Sequence, residues 1–275
     1  SDIETVLVVS EADEDSLAAR LADKVVCIGP PQVNLSYLNI TMIIATALGA
    51  GVDAIHPGYG FLAENPELPA ACEKNGIIFI GPRSDTMRQL GDKIRARNIA
   101  TECQVPINEG SQGITDYKEA EGIAQEIGFP VLFKASAGGG GRGMRIVTDP
   151  KDLKSAFDMA SNEAQQAFGD PTLFVERYVQ NARHVEVQIL GDDFGRVIHL
   201  GQRDCSSQRR YQKVVEEAQP IGLPDELTEK ISEAAVSLAR GINYNNAGTV
   251  EFLVDMDRNQ FYFMEVNTRI QVEHP

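Results

Sequence analysis

The residues best placed to do chemistry lie at the end of the sequence, in Phe261-Tyr-Phe-Met-Glu-Val-Asn-Thr-Arg-Ile-Gln-Val-Glu-His-Pro275. On a strand, the period of two puts Glu265, Asn267, Arg269, Gln271 and Glu273 on one face, and Tyr262, Met264, Val266, Ile270 and Val272 on the other, where they pack. A half-exposed strand would alternate in the same way, but would carry a solvating Lys/Glu mixture rather than this set of carboxylates, amides and a guanidinium. Glu265 and Asn267 offer oxygen ligands two residues apart, as a hard cation such as Mg²⁺ prefers, and Glu251 in the neighbouring strand 249–254 supplies another carboxylate. Carboxylates joined through such an ion to a triphosphate make a phosphoryl-transfer site.

Two further stretches carry chemistry suited to anions. Ala137-Gly-Gly-Gly-Gly-Arg-Gly143 allows close backbone approach and presents N–H groups. Gly138-x-Gly140-x-x-Gly143 satisfies the dinucleotide pattern, but that fingerprint opens a helix and Met144-Arg-Ile-Val147 reads as a strand. No Gly-Lys-Ser/Thr follows, so a Walker loop is excluded. A hairpin folding over phosphates, flanked by Lys134 and Arg142, fits better than a plain Gly-rich turn. In Gln202-Arg-Asp-Cys-Ser-Ser-Gln-Arg-Arg-Tyr-Gln-Lys-Val-Val-Glu-Glu217, Arg203, Arg209, Arg210 and Lys213 form the densest basic run. It reads either as an exposed charged loop or, beside a phosphate site, as a pocket for a small oxyanion. His56-Pro-Gly-Tyr-Gly60 is either a ligand crevice at a strand end or a sharp turn. Lys93 alone is uninformative.

The elements that must position these residues divide into lobes. Residues 5–9, 25–28, 52–55 and 77–80 read as short apolar strands separated by helices, hence βαβ units and a parallel sheet. A helical stretch follows over 84–103. A helix opened by Asp116-x-x-Glu119 ends near Gly128. Strands 130–135, 144–147 and 172–176, with a helix opened by Asp149-Pro150, make an α+β unit. From Arg183 the pattern is mostly β: a hairpin over 184–200, a helix over 224–240, and strands 249–254 and 260–268.

The 275 residues favour two or three lobes, and 43% hydrophobic with 24% charged residues is an ordinary globular composition. With 25 Lys plus Arg against 40 Asp plus Glu, the formal charge is −15, which argues against nucleic-acid and anionic-membrane partners; an anionic substrate needs a local basic cluster. No apolar run approaches a membrane span. The start, Ser1-Asp-Ile-Glu-Thr-Val, is unlike a signal peptide. Cys27, Cys72, Cys103 and Cys205 form no CxxC pair, which fits reduced structural thiols.

Along nearly its whole length the sequence resembles the biotin carboxylase component of biotin-dependent carboxylases, in the ATP-grasp superfamily. The resemblance is carried by Ala54-Ile-His-Pro-Gly-Tyr-Gly-Phe-Leu-Ala-Glu-Asn65, Lys134-Ala-Ser-Ala-Gly-Gly-Gly-Gly-Arg-Gly-Met144, Arg203-Asp-Cys-Ser-Ser-Gln-Arg-Arg210 and Glu265-Val-Asn-Thr-Arg-Ile-Gln-Val-Glu-His-Pro275. It implies an α/β and α+β ATP-grasp architecture with an N-terminal Rossmann-like parallel-sheet lobe (1–83), a helical link and lid (84–178) and a β-rich catalytic part (179–275). It implies that Lys93 and Lys134 contact ATP phosphates, with Gly138, Gly139, Gly140, Gly141 and Gly143 in a mobile lid. Glu176, Arg177 and Val179 would line the adenine slot, and His184, Gln208 and Tyr211 complete the nucleotide set. Glu251, Glu265 and Asn267 would hold Mg²⁺ or Mn²⁺. Lys213, Arg269, Gln271 and Val272 would surround bicarbonate, with Glu273 as its base, and Lys213, Arg269 and Glu273 are the catalytic set.

The activity so implied is ATP-dependent carboxylation of carrier-linked biotin through carboxyphosphate, with a biotin carboxyl carrier and a carboxyltransferase as partners. The compartment is the cytoplasm, or the mitochondrial matrix in a eukaryote. Another ATP-grasp carboxylate–amine ligase and a non-catalytic nucleotide-binding fragment are the alternatives. The family pattern has a strand and helix before Thr5, and continues well beyond Pro275 with a further arginine that acts on the biotin enolate. Little or no carboxylation of free biotin is therefore expected from these residues alone. Tyr211 stands where the family has His, and a phenol hydrogen-bonds but does not become cationic.

Overall fold

The structure, a computed structural model, describes residues 2–136, 144–209 and 212–274. Gly138, Gly139, Gly140, Gly141 and Gly143 of the expected lid, together with Arg142, Arg210 and Tyr211, lie outside the described residues.

The first lobe alternates β1 (Val6–Val9), α1 (Leu17–Leu21), β2 (Lys24–Cys27), α2 (Ile40–Ala50), β3 (Ala54–Ile55), α3 (Glu67–Lys74) and β4 (Ile78–Phe79). The strands are parallel, as the βαβ pattern requires, but they form two separate pairs, β1–β2 and β3–β4, rather than the single expected sheet. With two residues each, β3 and β4 make a ladder too short to extend sideways, and no described strand bridges the pairs. Ile44, Ala47, Leu62, Leu68, Cys72 and Ile77 form a core that packs α2 and α3 with the β3–β4 pair.

The helical stretch after it is broken. Asp92 leaves the helical region (φ −88°, ψ 113°), separating α4 (Ser84–Gly91) from α5 (Lys93–Glu102), and its carboxylate accepts the Arg95 N–H at 3.0 Å as the cap of α5. This break sets Lys93 in the first turn of α5. There follow α6 (Tyr117–Ile127), β5 (Val131–Ala135), β6 (Arg145–Val147), α7 (Leu153–Phe168) and β7 (Leu173–Arg177). Asp116 caps α6 as its sequence predicts, accepting from the Lys118 and Glu119 N–H groups. The three strands form an antiparallel sheet in the order β6-β5-β7, and α6 and α7 cover it through Ala120, Ala124, Phe157, Ala160 and Ala164.

The last lobe is a five-stranded antiparallel sheet in the order β10-β9-β8-β11-β12, made of β8 (Ala182–Gly191), β9 (Val197–Arg209), β10 (Gln212–Ala218), β11 (Asn246–Asp255) and β12 (Gln260–Asn267), with α8 (Asp225–Gly241) on one face. Val185, Val187 and Ile189 of β8 and Val250, Phe252 and Val254 of β11 pack under Ile231, Ala235 and Leu238 of α8. Leu90 of α4 and Ala96 and Ala100 of α5 join this core. Apolar residues on one side leave the intervening polar residues on the other, and that polar side holds the candidate site.

Two expectations are corrected here. The basic stretch 202–217 is not a loop, since β9 runs on to Arg209 and β10 returns from Gln212. The terminal alternation, in turn, does not run through Glu273. The register passes from Glu251↔Glu265 to Phe252↔Phe263, leaving Met264 as a bulge, and β12 stops at Asn267 because its pairing with β11 ends at Thr249. Residues 268–274 leave the sheet and close in a turn, with the His274 N–H donating to the Gln271 carbonyl at 3.2 Å.

Candidate active site

The register of the large sheet builds the site row by row. Glu265 stands opposite Glu251, Glu251 opposite Glu186, and Glu186 opposite Arg203, so three carboxylates and a guanidinium cross four strands on one face. Asn267, Thr249 and Gln188 form the neighbouring row. Lys213 reaches over from β10: its ammonium donates to Glu186 and, at 2.8 Å, to Oε1 of Glu251. Asn267 Nδ2 donates to the same Glu251 oxygen at 2.8 Å. His184 Nε2 lies 3.0 Å from Glu251 Oε2, and His184 Nδ1 lies 2.8 Å from Gln208 Nε2.

Charges on this face are strongly coupled. Burial would raise the Glu251 pKa, but His184 and Lys213 overcome it and hold the carboxyl down to about 2. Burial likewise opposes the Lys213 ammonium, and the charges of Glu251 and Glu186 more than restore it, holding its pKa above the usual lysine value. Glu265 is displaced the other way: burial and then the Glu251 charge raise its pKa. A buried carboxyl raised by a like neighbour is a place where a cation is gained favourably. One ligand atom from each of His184, Glu186 and Glu251 lies within 4.8 Å of the others, and Glu265 and Asn267 continue the same rows. This oxygen-rich donor set fits a hard divalent ion.

The three-stranded sheet approaches this face at Lys134, and α5 at Lys93. Lys134 of β5 ion-pairs with Glu176 Oε2 at 3.2 Å, and Arg97 of α5 holds Glu176 Oε1 at 2.6 Å. Burial opposes ionisation of Glu176, and Lys134 and Arg97 overcome it, keeping its pKa below the usual range. The Glu176 carboxylate therefore fixes Lys134. Arg177 turns its guanidinium to Asp255 at 2.9 Å and to the Tyr262 hydroxyl at 3.0 Å. The Arg177 backbone is engaged as well, its N–H donating to the Glu109 carbonyl at 2.9 Å and its carbonyl accepting from Asn108 Nδ2 at 2.8 Å, and Val179 nearby is buried. Burial lowers the Lys93 pKa against the pull of Glu265, and Lys134 adds repulsion, so α5, the lid sheet and β12 converge at one point.

Beyond Asn267 the turn is docked rather than paired. Arg203 spans the row, donating to Gln188 Oε1 at 3.1 Å and lying 3.3 Å from His274 Nδ1, which holds the turn over the sheet. Arg269 Nη1 donates to Gln271 Oε1 at 2.7 Å and to the Ile270 carbonyl at 3.2 Å. Gln271 is buried, with its Nε2 lacking a hydrogen-bond partner among the described residues. Burial, then the nearby charge of Glu273, raises the Glu216 pKa, which places Glu273 at the β10 side. Val272 is 67% exposed and offers its backbone rather than a packed side chain.

The sequence reasoning overlooked Glu186, Gln188, Arg203 as a row member, Arg97 and Glu64. The signal for the first two was legible: His184-Val-Glu-Val-Gln-Ile alternates polar and apolar residues as strictly as the terminal segment does.

Two family models account for the chain. "Biotin carboxylase, N-terminal domain" matches residues 1–87, and "Carbamoyl-phosphate synthase L chain, ATP binding domain" matches residues 92–275. A curated relative, "Biotin carboxylase 1" of Bacillus subtilis, is 48% identical over 274 residues, 99% of this chain and 61% of that protein. The chain belongs to the biotin carboxylase family. The crystal structure of a biotin carboxylase–beta-gamma-ATP complex from Campylobacter jejuni superposes with a TM-score of 0.92 at 49% identity, covering 98% of this chain and 60% of that one. The biotin carboxylase domain of the Hydrogenobacter thermophilus 2-oxoglutarate carboxylase, solved with MgADP, ADP and bicarbonate, superposes with a TM-score of 0.91 at 47% identity, covering 99% of this chain and 60% of that one. The architecture is thus the mixed α/β ATP-grasp fold of biotin carboxylases, with a parallel-stranded N-terminal lobe and an antiparallel sheet bearing the polar rows. The chain spans about three fifths of the length of these relatives. No helix among the described residues is long and apolar enough to cross a membrane.

Proposed function

We propose that this chain is the part of a biotin carboxylase that binds ATP, a divalent cation and bicarbonate, and activates bicarbonate for transfer to carrier-linked biotin. The observation that carries the reading is the carboxylate row Glu265–Glu251–Glu186 with Lys213 bound to its centre and the Arg269–Glu273 turn docked beside it through Arg203 and His274. In this reading Lys93 and Lys134 take the nucleotide phosphates. Glu176 fixes Lys134, and Glu176, Arg177 and Val179 line the slot for the base. His184 and Gln208 stand beside Glu251 on the nucleotide side, and Glu251, Glu265 and Asn267 hold Mg²⁺ or Mn²⁺. When bound, the ion neutralises the triphosphate and the charge that develops on transfer.

Glu273 takes the proton of bicarbonate, while Lys213 and Arg269, with Gln271 and the backbone at Val272, hold the dianion that results. Its oxygen attacks the γ-phosphorus, ADP departs, and carboxyphosphate breaks down to CO₂ and phosphate; the released phosphate takes the proton of a ring N–H of biotin as that nitrogen bonds to the CO₂. Water must be kept from so labile a species, the task we assign to the glycine segment 138–143. We assign residues 1–83, 84–178 and 179–275 to the N-terminal lobe, the link and lid, and the catalytic lobe. A biotin carboxyl carrier and a carboxyltransferase are the partners, and the compartment is the cytoplasm or an organellar matrix.

The test uses the full-length encoded protein. Bicarbonate-dependent, biotin-stimulated ATP cleavage is expected, and Glu273→Gln should lower its kcat by about 10²-fold or more with nucleotide affinity unchanged. ATP cleavage indifferent to bicarbonate and biotin would refute the reading.

A further inference from the structure

The motif His56-Pro-Gly-Tyr-Gly60 and its continuation to Asn65 have no role in the chemistry above, although they lie against it. A small, partly open cavity of about 60 Å³ separates this loop from the anion turn, lined by His56, Ala63, Ile80, Asn246, Thr268 and Arg269 among others. The loop is firmly held: the Ala63 N–H donates to the Gly60 carbonyl at 2.9 Å, the Asn65 N–H to the Leu62 carbonyl at 3.0 Å, and Leu62 and Ala63 are buried. Glu64 projects from it across the gap. One carboxylate oxygen accepts the Thr268 N–H at 3.3 Å, and the other lies 3.4 Å from Arg269 Nε.

Arg269 is thereby gripped on two sides. Glu64 takes the Nε edge and Gln271 takes Nη1 at 2.7 Å, while Nη2 makes no hydrogen bond to the described residues. An arginine spends much rotamer freedom when it binds an anion, and fixing its plane beforehand removes that cost at the moment of binding. A half-exposed ion pair adds little to folding stability, so the consequence of this one lies in where it aims the guanidinium. The field of Glu64 also reaches Glu265, so the loop faces the site from the N-terminal lobe.

We propose that Glu64 is a positioning residue for the anion site: from the N-terminal lobe it anchors the backbone at Thr268 and orients Arg269 toward bicarbonate. This rests on the assignment of Arg269 to bicarbonate made above. Glu64 touches neither substrate nor cation in this role.

The experiment compares Glu64→Ala, Glu64→Gln and Arg269→Gln in the full-length protein, measuring KM for bicarbonate, kcat, MgATP affinity and the thermal midpoint. Glu64→Ala should raise the bicarbonate KM about tenfold, with MgATP affinity and the midpoint little changed. Glu64→Gln should raise it less, because its amide oxygen still accepts the Thr268 N–H. A bicarbonate KM within about twofold of wild type in Glu64→Ala, while Arg269→Gln raises it strongly, overturns the positioning role alone. If Arg269→Gln also leaves the KM unchanged, the assignment of Arg269 falls and the positioning role with it. A Glu64→Ala effect confined to the thermal midpoint, with Glu64→Gln silent, likewise overturns it.

Discussion

At the scale of single residues the site is organised by an ammonium shared between two carboxylates. Lys213 donates to Glu186 and Glu251, so a cation approaching Glu251 competes with it for the same oxygen. Lys213→Gln should therefore bind Mg²⁺ alone several-fold more tightly in calorimetry, while bicarbonate-dependent ATP cleavage falls by about 10²-fold. Unchanged Mg²⁺ affinity would show that lysine and cation do not compete. Glu176 gives a separate, pH-dependent consequence. Lys134 and Arg97 overcome its burial and hold its folded pKa below the unfolded value. Its contribution to stability is thus complete above the ordinary glutamate pKa of about 4.3, and is lost as the pH falls through the lowered folded value. Denaturant unfolding from pH 7 to pH 3 should show stability falling below about pH 4.5, and Glu176→Gln, less stable at pH 7, should show a shallower fall. Equal slopes in the two proteins would remove Glu176 from the acid response.

Within elements, packing across strands decides what a linear pattern leaves open. That Glu265 and Asn267 share a face was legible from their spacing, because side chains alternate on any strand. The placement of Arg269, Gln271 and Glu273 was not, because the Met264 bulge and the end of β12 are set by the register against β11, a pairing between distant residues that no local window contains. The extension of β9 past Leu200 was hidden in the same way by its register shift against β8. The break that sets Lys93 at a helix start was written locally, in the Asp92 cap. Gly248 shows the limit most clearly: a Cβ there would lie 2.1 Å from the hydroxyl oxygen of Tyr244, which is fully buried and donates to the Ala247 carbonyl at 3.1 Å. Gly248→Ala must push this ring out of a packed core or bend β11 beside Thr249. A loss of about 1–3 kcal/mol is expected in denaturant unfolding. Tyr244→Phe in the same chain should recover only part of the loss, since the ring carbon Cζ still lies 2.6 Å from the added Cβ. A Gly248→Ala protein as stable as wild type would mean that β11 tolerates displacement there.

For the whole molecule, the division of the core decides how binding spreads. The residues proposed to hold nucleotide and cation come from β5, β7, α5, β11 and β12, elements whose apolar sides belong to the lid core and the large-sheet core. The N-terminal lobe has its own core around Ile44, Leu68 and Ile77, and among the described residues its polar ties to the large-sheet lobe are the Glu64 contacts and those of Arg83 with Asn245 at 3.1 Å and Asp193 at 2.8 Å. The Arg83–Asp193 and Glu64–Arg269 pairs are half-exposed, and such pairs add little to the stability that would tie the opening of one lobe to that of another. Ligand binding lowers the population of open states only in units whose opening would break the binding contacts. Saturating MgATP should thus slow amide hydrogen exchange in β5, β7, β11 and β12, and leave α2 and α3 exchanging as before. The measurement is exchange mass spectrometry with and without nucleotide, with Mg²⁺ alone as the control. Slowing of equal size across residues 40–77 would mean that the first lobe opens together with the other two, and that the few contacts between them couple far more strongly than half-exposed ion pairs do elsewhere.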